Sequence, residues 1–295
     1  MPKGKCAIYL LSGRPWFLES CLESVWEHYN SKFRYPIFVY YFDSVISSRL
    51  RRRLTEKSHT PIRFVRLRPK VPSHISKAEL FYNRQNAYAQ SFGRERINYL
   101  HMEHFVSNLL ELPELADFDT LHRIDDDALL KAEIEGDLAG QLQKTGRLIG
   151  TSHTYNNVTQ RHLDTRERLF EFVVWYTKSR KISAKHELLA SAIETNNESQ
   201  MHSLPWTSGN FNVYNMEKFR TAEFADWITA VNQFGGPYKH RWGDQEVLGL
   251  FGYFHHENPV LDFGLRDRGL YDPRRPSTEI IRSGSARWWR KNQKD

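Results

Sequence analysis

The stretch FDTLHRIDDDALL, residues 118–130, decides the class of fold that this sequence predicts. Its first half is the apolar run typical of a buried strand. Three consecutive carboxylates follow, Asp125, Asp126 and Asp127. Adjacent carboxylates repel one another, so the arrangement costs stability unless a cation or a helix end offsets it. A buried strand that ends in acids therefore predicts a ligand site at the end of a sheet.

The segments before this stretch alternate between strand and helix patterns. Strands are predicted at 6–11, 36–42 and 62–67, and helical patterns occupy 16–29 and 44–57. This order predicts an α/β fold with a Rossmann-like, mostly parallel sheet flanked by helices. Ligands of such sheets bind outside the carboxyl ends of the strands, where the three aspartates are expected to lie.

The length of 295 residues suits one large α/β domain, which we expect to span 1–271. Within it, the polar and charged stretch 164–200 has a helical pattern and is interpreted as a helical insertion or lid. Residues 272–295 are rich in proline, arginine and serine and are predicted to be a basic tail.

Composition narrows the function classes. No run approaches the roughly 18 apolar residues of a membrane span, and the amino-terminal segment lacks a signal-peptide cleavage pattern. Cys6 and Cys21 are too few for a zinc cluster or a disulfide framework. We therefore expect a cytoplasmic protein, or a Golgi-lumen protein if the chain is trimmed. The formal charge of +7 would suit anionic ligands, but no motif supports a nucleic-acid partner.

The spacing of the acids suits a metal. Asp125 and Asp127 offer oxygen ligands only, the set that Mg²⁺ or Mn²⁺ prefers, and such an ion is commonly shared with substrate phosphates. The alternative is that Asp125 or Asp126 caps the segment that follows.

Two later regions carry further candidates. In GPYKHRWGDQE, residues 236–246, Asp244 is interpreted as an acid that contacts sugar hydroxyls or takes a proton, or else as a helix N-cap. In WTSGNFNVY, residues 206–214, polar and apolar residues alternate as in a strand. The aromatic residues of both regions suit sugar stacking, although core packing is favoured for Phe211; they are Trp206, Phe211, Tyr238 and Trp242.

Four sequence blocks in one order resemble the fungal-type α-1,2-mannosyltransferase family, glycosyltransferase family 15. The blocks are ESVWEHYNSKFRYPIFVYYFD, YLHMEHFVSN followed by FDTLHRIDDD, WTSGNFNVYNMEKF, and FGGPYKHRWGDQEV. The Arg-Trp-Gly-Asp core at 241–244 is identical to that of the family. The resemblance covers about 6–43, 98–151 and 206–272. It implies a GT-A fold, a nucleoside diphosphate sugar donor (GDP-mannose in the family), a Mn²⁺ ion (or Mg²⁺) and retention at the anomeric carbon.

The resemblance also implies roles for individual residues. Asp125 replaces the metal-contacting Glu of the family, Asp127 matches its Asp, and Asp244 matches the acid that contacts donor or acceptor sugar. Asp272 lies where the family has a His that reaches the metal. With Asp125, the expected donor-binding residues are Ser12, Arg14, Asp43 and Arg241.

One departure affects the mechanism. The nucleophile proposed for the family is a Glu, and Asn212 stands in its place. An amide cannot serve as that carboxylate, so either another group helps, or ionisation occurs without a covalent intermediate, or the stereochemistry differs.

The expected function is metal-dependent transfer of a sugar, mannose by resemblance, to a hydroxyl of a glycan or glycoprotein acceptor. A non-catalytic protein that binds glycan or nucleotide is the first alternative, and a metal-dependent phosphoesterase or nuclease is the second.

Overall fold

The computed structural model describes residues 4–42, 46–83, 96–108, 112–156 and 158–272. These residues form a seven-stranded sheet with helices on both faces and two small two-stranded sheets. The strands are β1 (Cys6–Ser12), β2 (Ile37–Phe42), β3 (Ile62–Leu67), β4 (Thr120–Ile124), β5 (Leu129–Leu130), β6 (Ile149–Thr151), β7 (Thr154–Tyr155), β8 (Trp206–Thr207), β9 (Phe211–Asn215), β10 (Val260–Asp262) and β11 (Tyr271–Asp272).

The helices differ in length from one turn to more than three. They are α1 (Pro15–Val25), α2 (Ser31–Phe33), α3 (Ser48–Lys57), α4 (Arg96–Ser107), α5 (Leu138–Thr145), α6 (Gln160–Asp164), α7 (Leu169–Arg180), α8 (Glu187–Glu194), α9 (Glu198–His202), α10 (Met216–Phe219), α11 (Ala222–Phe234) and α12 (Asp244–His255). Two π-helical turns, Trp26–Asn30 and Gly236–His240, follow α1 and α11. No helix of the described ranges is long and apolar enough to cross a bilayer.

The large sheet has the strand order β10-β6-β9-β4-β1-β2-β3. All neighbouring pairs are parallel except those of β9, which runs antiparallel to both β4 and β6. The predicted α/β architecture is therefore confirmed. The antiparallel strand matters for the site, because it begins where β4 ends: Phe211 pairs with Ile124, and Asn212 pairs with Arg123.

Side-chain alternation along the strands fills two core layers. In β1, Ala7 and Tyr9 point to one face, and Ile8 and Leu10 point to the other. The first face is covered mainly by α4, α7, α11 and α12, and the second by α1, α3 and α5. Burial of both faces explains why the strands are near-continuous apolar runs.

Helices α10 and α11 are close in sequence but separate. The hydroxyl of Thr221 accepts from the Phe224 amide and starts α11 anew. The stretch 164–200 is helical as expected and contains α7 and α8. Its interpretation as a lid and the division at residue 271 remain predictions, and residues 273–295 lie outside the described residues.

Candidate active site

Asp126, the middle carboxylate, organises the loop between β1 and α1. It is fully buried and accepts hydrogen bonds from the Ser12 hydroxyl at 3.0 Å and from the amides of Gly13 at 3.1 Å and Arg14 at 2.9 Å. The Arg14 Nε donates to its other oxygen at 2.8 Å. A carboxylate with this many donors has little capacity left for a ligand. Asp126 therefore holds the amino-terminal turn of α1 in place, whereas the capping alternative concerned the segment that follows the aspartates.

Asp125 is the most accessible of the three acids, with 26% of its side chain exposed. Its Oδ1 accepts from Arg123 Nη2 at 2.8 Å, and its Oδ2 accepts from Asn210 Nδ2 at 3.1 Å. Burial raises its pKa to about 6, and the charge of Asp127 adds to that rise, whereas Arg123 opposes it. The third acid, Asp127, is bonded to the Arg14 guanidinium.

Arg123 connects Asp125 to a second buried acid. It projects from β4, is 6% exposed, and donates to Asp244 Oδ2 at 2.7 Å and to the Gly209 carbonyl oxygen. A buried guanidinium of this kind needs several acceptors to offset its loss of hydration, and here it has three. Arg123 thus fixes Asp125 and Asp244 relative to each other.

Asp244 is surrounded by donors from β9. Its Oδ2 also accepts from Asn212 Nδ2 at 3.2 Å and from the Tyr214 hydroxyl at 3.1 Å. Because an ionised carboxylate only accepts, these bonds fix the orientation of the Asn212 amide. The Asn212 Oδ1 is left buried without a hydrogen-bond partner among the described residues. An unsatisfied buried acceptor is costly, and this one belongs to the same amide group that donates to Asp244.

The Arg-Trp-Gly-Asp block places Asp244 at the start of α12. Arg241 has a left-handed backbone with φ of 62°, and its Nη2 contacts the Tyr99 hydroxyl and lies 3.2 Å from Glu103 Oε1. A Cβ at Gly243 would lie 2.2 Å from Glu103 Oε2, so any side chain at this position would displace the Glu103 carboxyl group. Trp242 is fully buried and donates its indole N–H to the Glu167 carbonyl oxygen at 3.2 Å.

A second buried ion pair supports the same helix. Arg166 is 1% exposed, its Nε lies 3.1 Å from Glu246 Oε1, and its guanidinium lies 3.7 Å from the ring centroid of Trp206. Glu246 in turn accepts from the Gly243 amide at 3.2 Å. The amino-terminal turn of α12 is therefore held by two arginines and by β9.

The stacking interpretation of the aromatic residues is wrong. All four are at most 1% exposed and belong to the packed interior; they are Trp206, Phe211, Tyr238 and Trp242. The preference for core packing at Phe211 is confirmed. Of the four, Trp206 packs against the guanidinium group of Arg166.

The other predicted site residues are placed as follows. Ser12 is buried against Asp126, and Arg14 bridges Asp126 and Asp127 with 34% of its side chain exposed. Arg241 is held by Glu103 and Tyr99. Asp43 lies outside the described residues. Asp272 is paired with Leu129 in the small β5–β11 sheet, and Leu129 follows Asp127 by two residues in the chain.

Sequence reasoning missed two charged residues, Arg123 and Glu103. Each is a charged side chain in a segment that must be buried: Arg123 interrupts the apolar strand LHRI, and Glu103 lies on the inner face of α4 with 5% exposure. A charge in such a position requires a partner, and that requirement was the available signal.

Two carboxylates at the end of β4 offer oxygen ligands that suit a divalent cation. Asp125 and Asp127 supply oxygens only, as expected for an ion that completes its coordination with phosphate oxygens, and Asp127 is paired with the partly exposed Arg14. Within the described ranges no three His, Cys, Asp or Glu side chains converge to form a complete metal site. The donor set therefore fits a cation that binds together with a diphosphate.

The fold is that of the GT-A glycosyltransferases. Core-mannan synthase A from Aspergillus fumigatus, solved in a Mn/GDP form, superposes with a TM-score of 0.72 at 17% identity, over 92% of this chain and 75% of that chain. The mannosyltransferase Ktr4p from S. cerevisiae, solved in complex with GDP, gives a TM-score of 0.71 at 17% identity, over 86% of this chain and 68% of that chain.

The family follows from the sequence. The family described as glycolipid 2-alpha-mannosyltransferase matches residues 11–254, and this chain belongs to it. No curated protein matches the chain. Family and fold together support glycosyltransferase activity.

Proposed function

We propose that this protein transfers a mannosyl unit from GDP-mannose to a hydroxyl of a glycan or glycoprotein, with Mn²⁺ or Mg²⁺ bound at the aspartates. The observation that carries the proposal is the Arg123 bridge, which joins Asp125 at the end of β4 to Asp244 at the start of α12. It holds the acid expected at the donor diphosphate beside the acid expected at the sugar.

Asp125 and Asp127 would hold the cation together with oxygens of the diphosphate, and the role of Asp272 as a third ligand stays a prediction. When bound, the ion neutralises negative charge on the departing diphosphate. Arg14 lies at the same position and supplies a permanent positive charge there. A guanidinium cannot be deprotonated at working pH, so its contribution to the leaving group does not depend on pH.

The bonds that change are the same for either stereochemical outcome. The bond between the anomeric carbon and the diphosphate oxygen breaks, and a bond from the acceptor hydroxyl oxygen to that carbon forms. If the configuration is retained without a covalent intermediate, the acceptor proton moves to the departing phosphate oxygen. If it is inverted, Asp244 takes the proton as general base.

Asn212 favours the route without a covalent intermediate. Its Nδ2 is committed to Asp244 and Tyr214, so only Oδ1 is available to face the sugar. A carbonyl dipole stabilises a cationic anomeric centre but does not form a stable ester.

The test is a donor-consumption assay that includes product analysis. GDP-mannose with Mn²⁺ and a mannoside acceptor is expected to yield GDP and an extended glycan with α configuration by NMR. Asp226→Asn, which changes an arginine-paired acid on α11, is the control for general effects. Release of GDP without acceptor would still support catalysis, but tight GDP binding with no turnover would favour a non-catalytic binding protein. This second candidate function is supported by Asn212, which stands in place of the Glu proposed as the nucleophile of the family.

A further inference from the structure

Glu103 is a buried carboxyl group that the proposed reaction does not use. It lies on α4 and points at the turn between the π-helical segment Gly236–His240 and α12. One oxygen lies 3.2 Å from Arg241 Nη2, and the other faces the Cα of Gly243 so closely that a methyl group would be only 2.2 Å away. The carboxyl group of Glu103 therefore contacts Arg241 and Gly243, two residues of the turn that leads into Asp244.

The turn that Glu103 contacts is conformationally costly. Arg241 is a non-glycine residue with a left-handed backbone, which is unfavourable for an L-residue unless its surroundings impose it. The contacts of its side chain with Glu103 and Tyr99 help to hold the turn in this conformation.

We propose that Glu103 is a positioning residue of the transferase: it acts as a neutral carboxylic acid that locks the Arg241–Gly243 turn and so sets Asp244. This inference rests on the proposed function.

The charged groups around the start of α12 favour the protonated, uncharged form of Glu103. The groups that face Glu103 are Arg241 from the turn, Asp244 and Glu246 from α12, and Arg123 from β4. Arg166 pairs with Glu246, and Asp125 pairs with Arg123. Two further carboxyl groups, those of Asp244 and Glu246, thus face the buried carboxyl group of Glu103. Burial raises the pKa of Glu103 to about 8, with Asp244 and Glu246 adding to the rise and Arg241 opposing it.

Ionisation of Glu103 has a predictable effect on the site. A negative charge on Glu103 repels the carboxylates of Asp244 and Glu246, each of which is paired with a single arginine. We expect kcat/KM for the donor to fall several-fold between pH 7 and pH 9 as Glu103 loses its proton.

The decisive variant is Glu103→Gln, which keeps the shape and the uncharged state of the protonated acid. At pH 7 it is expected to retain kcat/KM within about threefold, and its alkaline decline is expected to disappear. Asp226→Asn is expected to keep the decline of the parent protein. An unchanged alkaline limb in Glu103→Gln would overturn the proposal, since a purely structural Glu103 would not affect the pH profile.

Thermal unfolding tests Glu103 independently of activity. Because its folded pKa of about 8 lies above the ordinary value of 4.5, the parent should lose stability relative to Glu103→Gln as pH rises from about 4.5 to 8. A constant difference in Tm over that range would contradict the proposal. If the parent consumes no donor at any pH, the proposed function fails, and the unfolding data still decide the protonation of Glu103.

A double-mutant cycle tests the contact itself. Gly243→Ala should impair donor turnover strongly in the parent, because its methyl group meets Glu103. In the Glu103→Ala background the space is open, so the same substitution should cost at least tenfold less. Equal effects in both backgrounds would show that Glu103 does not set the turn.

Discussion

At the scale of single residues, the three aspartates divide into one structural acid and the two that we propose as ligands of the cation. Asp126 accepts hydrogen bonds from Ser12, Gly13 and Arg14 and is fully buried. Its neighbours Asp125 and Asp127 retain partial exposure or a single guanidinium partner. Consecutive identical residues can therefore have different functions, because successive side chains leave the strand end in different directions.

Removing Asp127 is expected to abolish turnover with little effect on folding. Asp127→Ala should lower kcat for donor consumption at least 100-fold, because the cation loses a ligand. Its Tm should stay within roughly 2 °C of the parent, since Arg14 keeps its bonds to Asp126. Steady-state kinetics and thermal unfolding check the two parts, and normal turnover would remove the metal role of Asp127.

Arg123 is expected to contribute to both stability and activity. Arg123→Met leaves Asp125 and Asp244 without their shared cation, and breaking a buried ion pair in this way costs about 3–5 kcal/mol. Arg123→Lys keeps the charge but cannot serve three acceptors, so we expect an intermediate loss. Urea unfolding measures the free energy of unfolding of both variants. Equal stability of the parent and the Met variant would show that the Arg123 bridge is energetically unimportant.

At the scale of elements, the sequence predicted the strands and helices well but not the antiparallel strand. β1, β2 and β3 begin and end within a residue of expectation, because buried strands between helices have a clear apolar pattern. The direction of β9 is not encoded in such a pattern, and that direction brings Asn212 beside Arg123. For the same reason, sequence reasoning found Asp244 and Asn212 but not the arginine that joins them to Asp125.

Helix α12 offers a matched pair of glycine substitutions. A Cβ at Gly249 would meet nothing within 4 Å, whereas one at Gly252 would lie 2.8 Å from the Pro259 Cβ and 3.1 Å from Leu148. Gly249→Ala should therefore raise stability by about 0.5–1 kcal/mol through its higher helix propensity. Gly252→Ala should lower stability, because proline and a buried leucine cannot move aside. Urea unfolding of both variants checks the packing of α12, and a destabilised Gly249→Ala would contradict it.

At the scale of the whole molecule, the site is assembled from segments that are distant in sequence and meet at one end of the sheet. The loop after β1, the end of β4, the start of β9 and the start of α12 all contribute side chains. A ligand that bridges these segments stabilises the folded state as a unit, because the unfolded chain has no such arrangement.

Nucleotide binding should consequently raise the unfolding temperature only when a divalent cation is present. At a GDP concentration of 100 times Kd the folded state gains about 2.7 kcal/mol, which is a shift of a few degrees in a chain of this size. With EDTA in place of Mn²⁺, or in Asp127→Ala, the shift should disappear, because the diphosphate then faces Asp125 without an intervening positive ion. Differential scanning fluorimetry with GDP, UDP, CDP and ADP, each with and without Mn²⁺, makes the measurement, and Asp226→Asn should behave as the parent.

A shift for GDP alone would assign the base of the donor. A shift that persists in EDTA would place diphosphate recognition on Arg14 and exclude the aspartates as its metal ligands, because the carboxylates alone would repel the phosphates.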